Sequence, residues 1–152
     1  MIYRILIFLV VNFAALGLGG IFTGEGVPSE WYQGLNKAPW TPPGWVFGAS
    51  WSTIMVCLTL YMAYLWEYKE KRKLILSLFI VQWVLNVGWN PVFFFHHDAL
   101  GGLIVIVLLT VLVGFFLFYF RKRLNYKTLL IAPYFIWLLI ATSLNAYILF
   151  NN

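Results

Sequence analysis

The sequence predicts an all-α integral membrane protein, a bundle of five transmembrane helices with a long aromatic and proline-rich loop between the first two. Three observations lead there. The 152 residues are 62% hydrophobic and only 10% charged, whereas soluble domains carry about 25% charged residues. The charges leave five uninterrupted apolar intervals, each long enough for the ~20 residues that a bilayer-crossing helix needs. The basic residues also fall on one side of the alternating connections.

The intervals run from Ile5 to Gly24, Ala38 to Trp66, Leu74 to His97, Ala99 to Phe120 and Thr128 to Asn152. Trimmed of interfacial ends and of the proline entry to the second, they predict helices near 4–22, 44–66, 74–95, 99–120 and 128–149, within a single domain over 1–152. The first apolar region exceeds a signal core of roughly 7–15 residues, and GLGGIFTGEG is a poor cleavage site. Ala15 and Gly19, four residues apart, allow a neighbouring helix to approach closely. Tight packing inside the bundle is preferred there over a dimer seam.

The connection that follows is unusual. From Trp31 to Trp51 it reads WYQGLNKAPWTPPGWVFGASW, with Trp31, Trp40, Trp45 and Trp51 drawn from a total of 8 tryptophans. Pro39, Pro42 and Pro43 stiffen it, and Gly34 and Gly44 mark turns. Loops this long are usually polar and variable, so an aromatic one is expected to act as a lid or the rim of a site. The single Cys57 of the second span excludes an internal disulfide.

In the third span Gln82, Asn86, Trp89 and Phe93 share one helical face, Asn90 lies beside it, and Pro91 opens a kink. The fifth carries a comparable stripe of Tyr134, Trp137, Ala141, Leu144 and Asn145. Amides at membrane depth need partners, so both faces should point inward. Gln82, Asn86 and Asn145 serve either as interhelical hydrogen-bond glue or as ligand contacts. Together with Trp51 they outline an amphipathic pocket of apolar walls, stacking rings and a few uncharged polar groups.

His96, His97 and Asp98 occupy the short third connection. Solvated interfacial caps, with Asp98 as N-cap of the fourth helix, are preferred over a metal or axial haem site. No span carries an Asp, Glu, Lys or Arg in its middle, which argues against an ion-coupled pump. Of the 10 Lys and Arg residues, all but Lys37 lie with the N-terminus and the second and fourth connections. That side is expected to face the cytoplasm of a bacterial cell, with the first loop and C-terminus outside. The +5 net charge is thereby explained without nucleic acid.

Three motifs, WYQGLNKAPWTPPGWVFGASW, QWVLNVGWNPVFFF and APYFIWLLIATSLNAYILF, occur in this order. With them the chain resembles, over essentially its whole length, the TspO/MBR family of tryptophan-rich sensory proteins, relatives of the mitochondrial translocator protein or peripheral benzodiazepine receptor. The resemblance implies a five-helix bundle, a homodimer, and a receptor or sensor whose pocket lies under the first loop. Its implied ligands are porphyrins, notably protoporphyrin IX, and drug-like isoquinoline carboxamides and benzodiazepines. The family's pocket positions fall on Tyr32, Pro42, Trp51, Gln82, Asn86, Trp89, Phe93, Trp137, Ala141 and Leu144; Asn90 and Asn145 join them from the face reading above. No obligatory cofactor is implied; a porphyrin would be ligand or substrate. Light-dependent porphyrin breakdown would assign Trp51 a catalytic role, and carriage of tetrapyrroles or lipids is the alternative function.

The cholesterol element of animal members is incomplete, with Ala146 and Phe150 at its tyrosine and basic positions, so cholesterol is not an expected partner. Asn90-Pro91 replaces a frequent proline pair and adds a polar group. With no deep cation available, porphyrin propionates would have to reach the loop and water.

Overall fold

The computed structural model describes residues 1–152 and is helical throughout, without strands. Five helical stretches are long and apolar enough to span a membrane. They contain α1 (Ile2–Gly26), α3 (Gly44–Leu65), α4 (Arg72–Asn90), α5 (Ala99–Tyr119) and α7 (Ala132–Asn151). Short helices α2 (Glu30–Gly34) and α6 (Arg121–Leu124) lie in the first and last connections. The spanning helices close into a ring, because α1 packs on α3 and α4, α4 on α5, α5 on α7, and α7 back on α3.

Helix ends follow local chemistry. Ser29 Oγ accepts from Tyr32 N at 3.2 Å and starts α2, while Asp98 Oδ1 accepts from Gly101 N at 2.8 Å and starts α5, as expected of an N-cap. Pro43 precedes α3 and Pro133 sits in the first turn of α7, where a missing N–H breaks no helical bond.

Three boundaries differ from the sequence reading. Helix α1 continues one turn beyond residue 22, to Gly26. Its glycine-rich end is held by α4 and the turn that follows: a Cβ at Gly19 would lie 2.8 Å from Asn90 Nδ2, and one at Gly26 would strike Phe94. The small-residue face of α1 therefore packs inside the bundle. The third span leaves regular α-geometry at Asn90 and ends in a π turn over Pro91–Phe95. The fifth begins as a 3-10 stretch, Asn125–Ile131, before α7 starts at Ala132.

The π turn has an identifiable cause. Pro91 has no N–H to donate to Val87 O, so that carbonyl loses its helical partner. Asn90 Nδ2 covers it, lying 3.4 Å from Val87 O and 3.2 Å from Asn86 O, and His96 N bonds Pro91 O at 2.9 Å, five residues back.

The bundle is filled unequally. At the end where α3 finishes, Tyr61, Leu65, Ile75, Val113, Phe116 and Ile131 are buried to 1% exposure or less. Tyr61 Oη donates to Phe116 O at 2.8 Å, so its phenol is paired within that core. The other half, beneath the first loop, is hollow.

Candidate functional site

A cavity of about 580 Å³ occupies the loop half of the ring, within the range of pockets that hold drug-sized ligands. Every spanning helix contributes to its wall. The third span supplies Asn86, Trp89, Asn90 and Phe93; α7 supplies Trp137, Ala141, Leu144 and Asn145; Trp51 comes from α3, and Tyr32 and Pro42 from the loop. The structure thus brings these sequence-selected positions around one space.

Gln82 is the exception. It is buried at 3% exposure but does not border the cavity. One helical turn below Asn86, it falls within the packed half, where its Nε2 lies 3.0 Å from Tyr134 Oη. Its Oε1 has no partner. Gln82 is interhelical glue, the first of its two sequence-level readings.

Asn145 serves in both capacities. Its Oδ1 accepts from Trp89 Nε1 at 3.1 Å and its Nδ2 donates to Ala99 O at 2.8 Å, so its amide is spent on the wall it helps to form. Asn90 Oδ1 lies 3.0 Å from Thr23 Oγ1, which is also 3.0 Å from Gly19 O; the single hydroxyl hydrogen serves one or the other. Asn86, only 7% exposed, makes no side-chain hydrogen bond within the protein. It is the uncommitted amide of the cavity.

The aromatic residues divide similarly. Trp89 and Phe93 stack on each other with centroids 4.9 Å apart and planes 11° from parallel. Phe93 is also boxed in by Trp31, Tyr32 and Phe94. It is wall, not an open stacking platform. Trp51 meets Tyr134 edge-on at 5.9 Å, and Trp137 meets Phe47 edge-on at 5.4 Å. Neither indole N–H is bonded within the protein, so both can donate to a bound molecule.

The first loop closes over this space and is fixed at several points. Trp31 stacks on His97, with centroids 4.3 Å apart and planes 14° from parallel. His97 is thus more than the solvated cap expected from sequence; it adopts a φ of 54° and holds the lid. Trp40 Nε1 donates to Ser143 Oγ at 3.2 Å, and Asn36 N donates to Asn152 Oδ1 at 2.8 Å. Tyr32 is half-buried, and that burial raises its phenol pKa above the ordinary tyrosine value. Lys37 Nζ lies 4.6 Å from the Tyr32 ring centre and is the one charged side chain bordering the cavity. No three His, Cys, Asp or Glu side chains are brought together in metal-binding geometry.

Some of the wall was missed in the sequence. Leu16, Gly19, Gly20 and Thr23 of α1 line the cavity, while Met55, Ile106 and Leu109 lie deeper. The GLGG run was the available signal: glycines facing a lumen leave volume that side chains would fill.

A match to the family described as TspO/MBR spans residues 6–150. Protein CrtK of Rhodobacter capsulatus is 33% identical over 144 residues, covering 89% of this chain and 86% of that one. Tryptophan-rich protein TspO of Archaeoglobus fulgidus is 31% identical, covering 100% and 96% respectively. The human Translocator protein is 37% identical over a shorter stretch of 75 residues, 47% of this chain and 43% of that one.

Proposed function

The chain belongs to the TspO/MBR family of membrane proteins, and from that premise we propose that it is a receptor or sensor for planar amphiphilic ligands, protoporphyrin IX foremost. Isoquinoline carboxamides and benzodiazepines are drug-like occupants of the same cavity in this reading. The observation that carries it is the 580 Å³ cavity, aromatic on its walls, uncharged within and bordered by one cation at the loop.

The chemistry fits such a ligand part by part. Burial of a macrocycle supplies most of the affinity, at roughly 25 cal/mol per Å² of apolar surface removed from water. Contacts with Trp51 and Trp137 add about 0.5–1.5 kcal/mol each beyond area. Asn86 and the two free indole N–H groups offer polar contacts to a ring periphery. Carboxylates have a partner only at the loop, where Lys37 stands. The packed half beneath the cavity supports binding over passage through the bundle, because Tyr61, Ile75 and Val113 are fully buried across that path.

The test is a titration of purified protein with protoporphyrin IX in the dark, read by tryptophan quenching and repeated for Trp51→Ala and Asn86→Ala. Saturable binding weakened about tenfold by Trp51→Ala is expected, since ~1.4 kcal/mol corresponds to that factor. Equal affinity in all three proteins would refute the placement, and no saturable binding would refute the ligand class. Illumination of the bound complex adds a second reading. Loss of the porphyrin absorbance that requires protein and is abolished by Trp51→Phe would make Trp51 an electron donor to the photoexcited ligand, with dioxygen as co-reactant.

A further inference from the structure

The end of the bundle away from the cavity carries a second depression, of about 220 Å³, bordered by Tyr64, Glu67, Arg123, Asn125, Tyr126 and Lys127. Asn125, at φ 51°, turns the chain so that Arg123 and Lys127 border the same hollow. Three aromatic residues at and just past the end of α3 each sit under one cation. Lys127 Nζ is 4.0 Å from the Tyr64 ring centre, the Arg123 guanidinium carbon is 5.1 Å from that of Tyr68, and that of Arg72 is 5.5 Å from that of Trp66. A ring face positions a cation without neutralising it, so its charge and N–H donors stay available.

The acids do not quench this site. Glu67, on its border, is engaged by Arg4 at 3.3 Å in the protein's only ion pair. Arg123 and Lys127 have no carboxylate partner. A topology signal requires only that basic residues lie near the ends of spans. It does not require two unpaired cations held by aromatic faces around one hollow.

We propose that this depression is a binding site for an anionic phospholipid, whose phosphate is held by Arg123 and Lys127. The phosphate matches the donors of a guanidinium and an ammonium. A lipid source is favoured over a soluble phosphate by two features. The hollow lies at the end of α3 and just past the end of α5, the level at which a bilayer would place its headgroups. The strongly exposed Tyr126 on its border, with Leu129 three residues on, offers apolar surface to an acyl chain.

The experiment uses the full chain, delipidated in a neutral detergent, with lipid adducts counted by native mass spectrometry. Phosphatidylglycerol and phosphatidylcholine of identical acyl chains are the probes: both carry the phosphate, but the choline ammonium of the second cancels its charge and is repelled by Arg123 and Lys127. A preference of about tenfold for phosphatidylglycerol is expected, in line with two basic groups near the membrane surface. Arg123→Gln with Lys127→Gln should abolish that preference, and Arg123→Lys with Lys127→Arg should keep most of it in a chain of unaltered charge. Lys69→Gln with Lys122→Gln, which removes two cations outside the hollow, should leave it intact. Melting temperatures of all variants identify any that lose the preference by unfolding, and the charge-conserving pair then decides. Equal binding of the two lipids, or equal loss in the Lys69 and Lys122 variant, would overturn the site in favour of diffuse attraction. Displacement of the lipid by millimolar glycerol phosphate would overturn the lipid assignment.

Discussion

Lys37 is a single residue on which a specific outcome turns. It alone adds charge to the cavity border, and it rests against Tyr32 instead of an acid. Partly exposed ion pairs contribute about 0.2–1 kcal/mol, so its contribution to a carboxylate ligand should be a few-fold in affinity. Lys37→Met is therefore expected to weaken protoporphyrin IX binding by roughly threefold while leaving its dimethyl ester unaffected. Parallel titrations of acid and ester distinguish the possibilities. If the ester loses equally, Lys37 acts by holding the lid; if neither binds the wild type, the ligand class is wrong. The residue scale is also where sequence reading was least reliable. Gln82 and Asn86 stand one turn apart on the same face and are both amides, yet one bonds Tyr134 in the packed half and the other faces empty space. Helical periodicity assigns a face, not a depth, and the boundary between packed and hollow halves depends on helices distant in sequence.

The third span shows the same limit at the scale of an element. Its length and its inward face were readable from charge-free extent and amide spacing, and Pro91 announced an irregularity. The sequence did not disclose that the irregularity is a π turn, nor that Asn90 repairs it. That repair needs a side-chain amide one residue before the proline, with its oxygen engaged in turn by Thr23 on another helix. Removing the amide leaves a partly buried carbonyl unpaired, at a cost of about 1–3 kcal/mol. Asn90→Ala should accordingly lower the melting temperature in detergent, whereas Asn90→Ala with Pro91→Ala should recover much of the loss, because the second substitution restores a backbone N–H that can donate to Val87 O as in an ordinary helix. The double variant should still bind ligand poorly. Without the π turn the residues after position 91 shift by one place, which takes Phe93 and Phe94 away from Tyr32 and Gly26. Full recovery of both stability and binding would show that the π turn has no part in shaping the cavity.

For the whole molecule, the division into a packed and a hollow half links stability to function. Five spans, their order and the lid were accessible from composition and motif, because charge-free length and aromatic content are properties of contiguous sequence. The closed ring, with α7 returning to α3, was not. It follows from which helices touch, and the apolar faces of all five look alike to a hydropathy count. In a ring so filled, the loop half lacks the contacts that lock the other half, and it should open locally at lower free energy. A ligand that fills the cavity replaces those contacts and stabilises the closed state by RT ln(1 + [L]/Kd), about 2.7 kcal/mol at a hundredfold excess over Kd. Hydrogen–deuterium exchange in detergent should then show a spatially divided response. Amides of α2, the Pro91–Phe95 turn and the last two turns of α7 should exchange quickly alone and slow severalfold with protoporphyrin IX. Those of the α3 segment around Tyr61 and the α5 segment around Phe116 should be slow in both states. Uniform protection along every helix would indicate that ligand acts on global unfolding, and the two halves would then form a single cooperative unit. Protection confined to the loop half is the outcome required of a receptor that reports occupancy by ordering its lid.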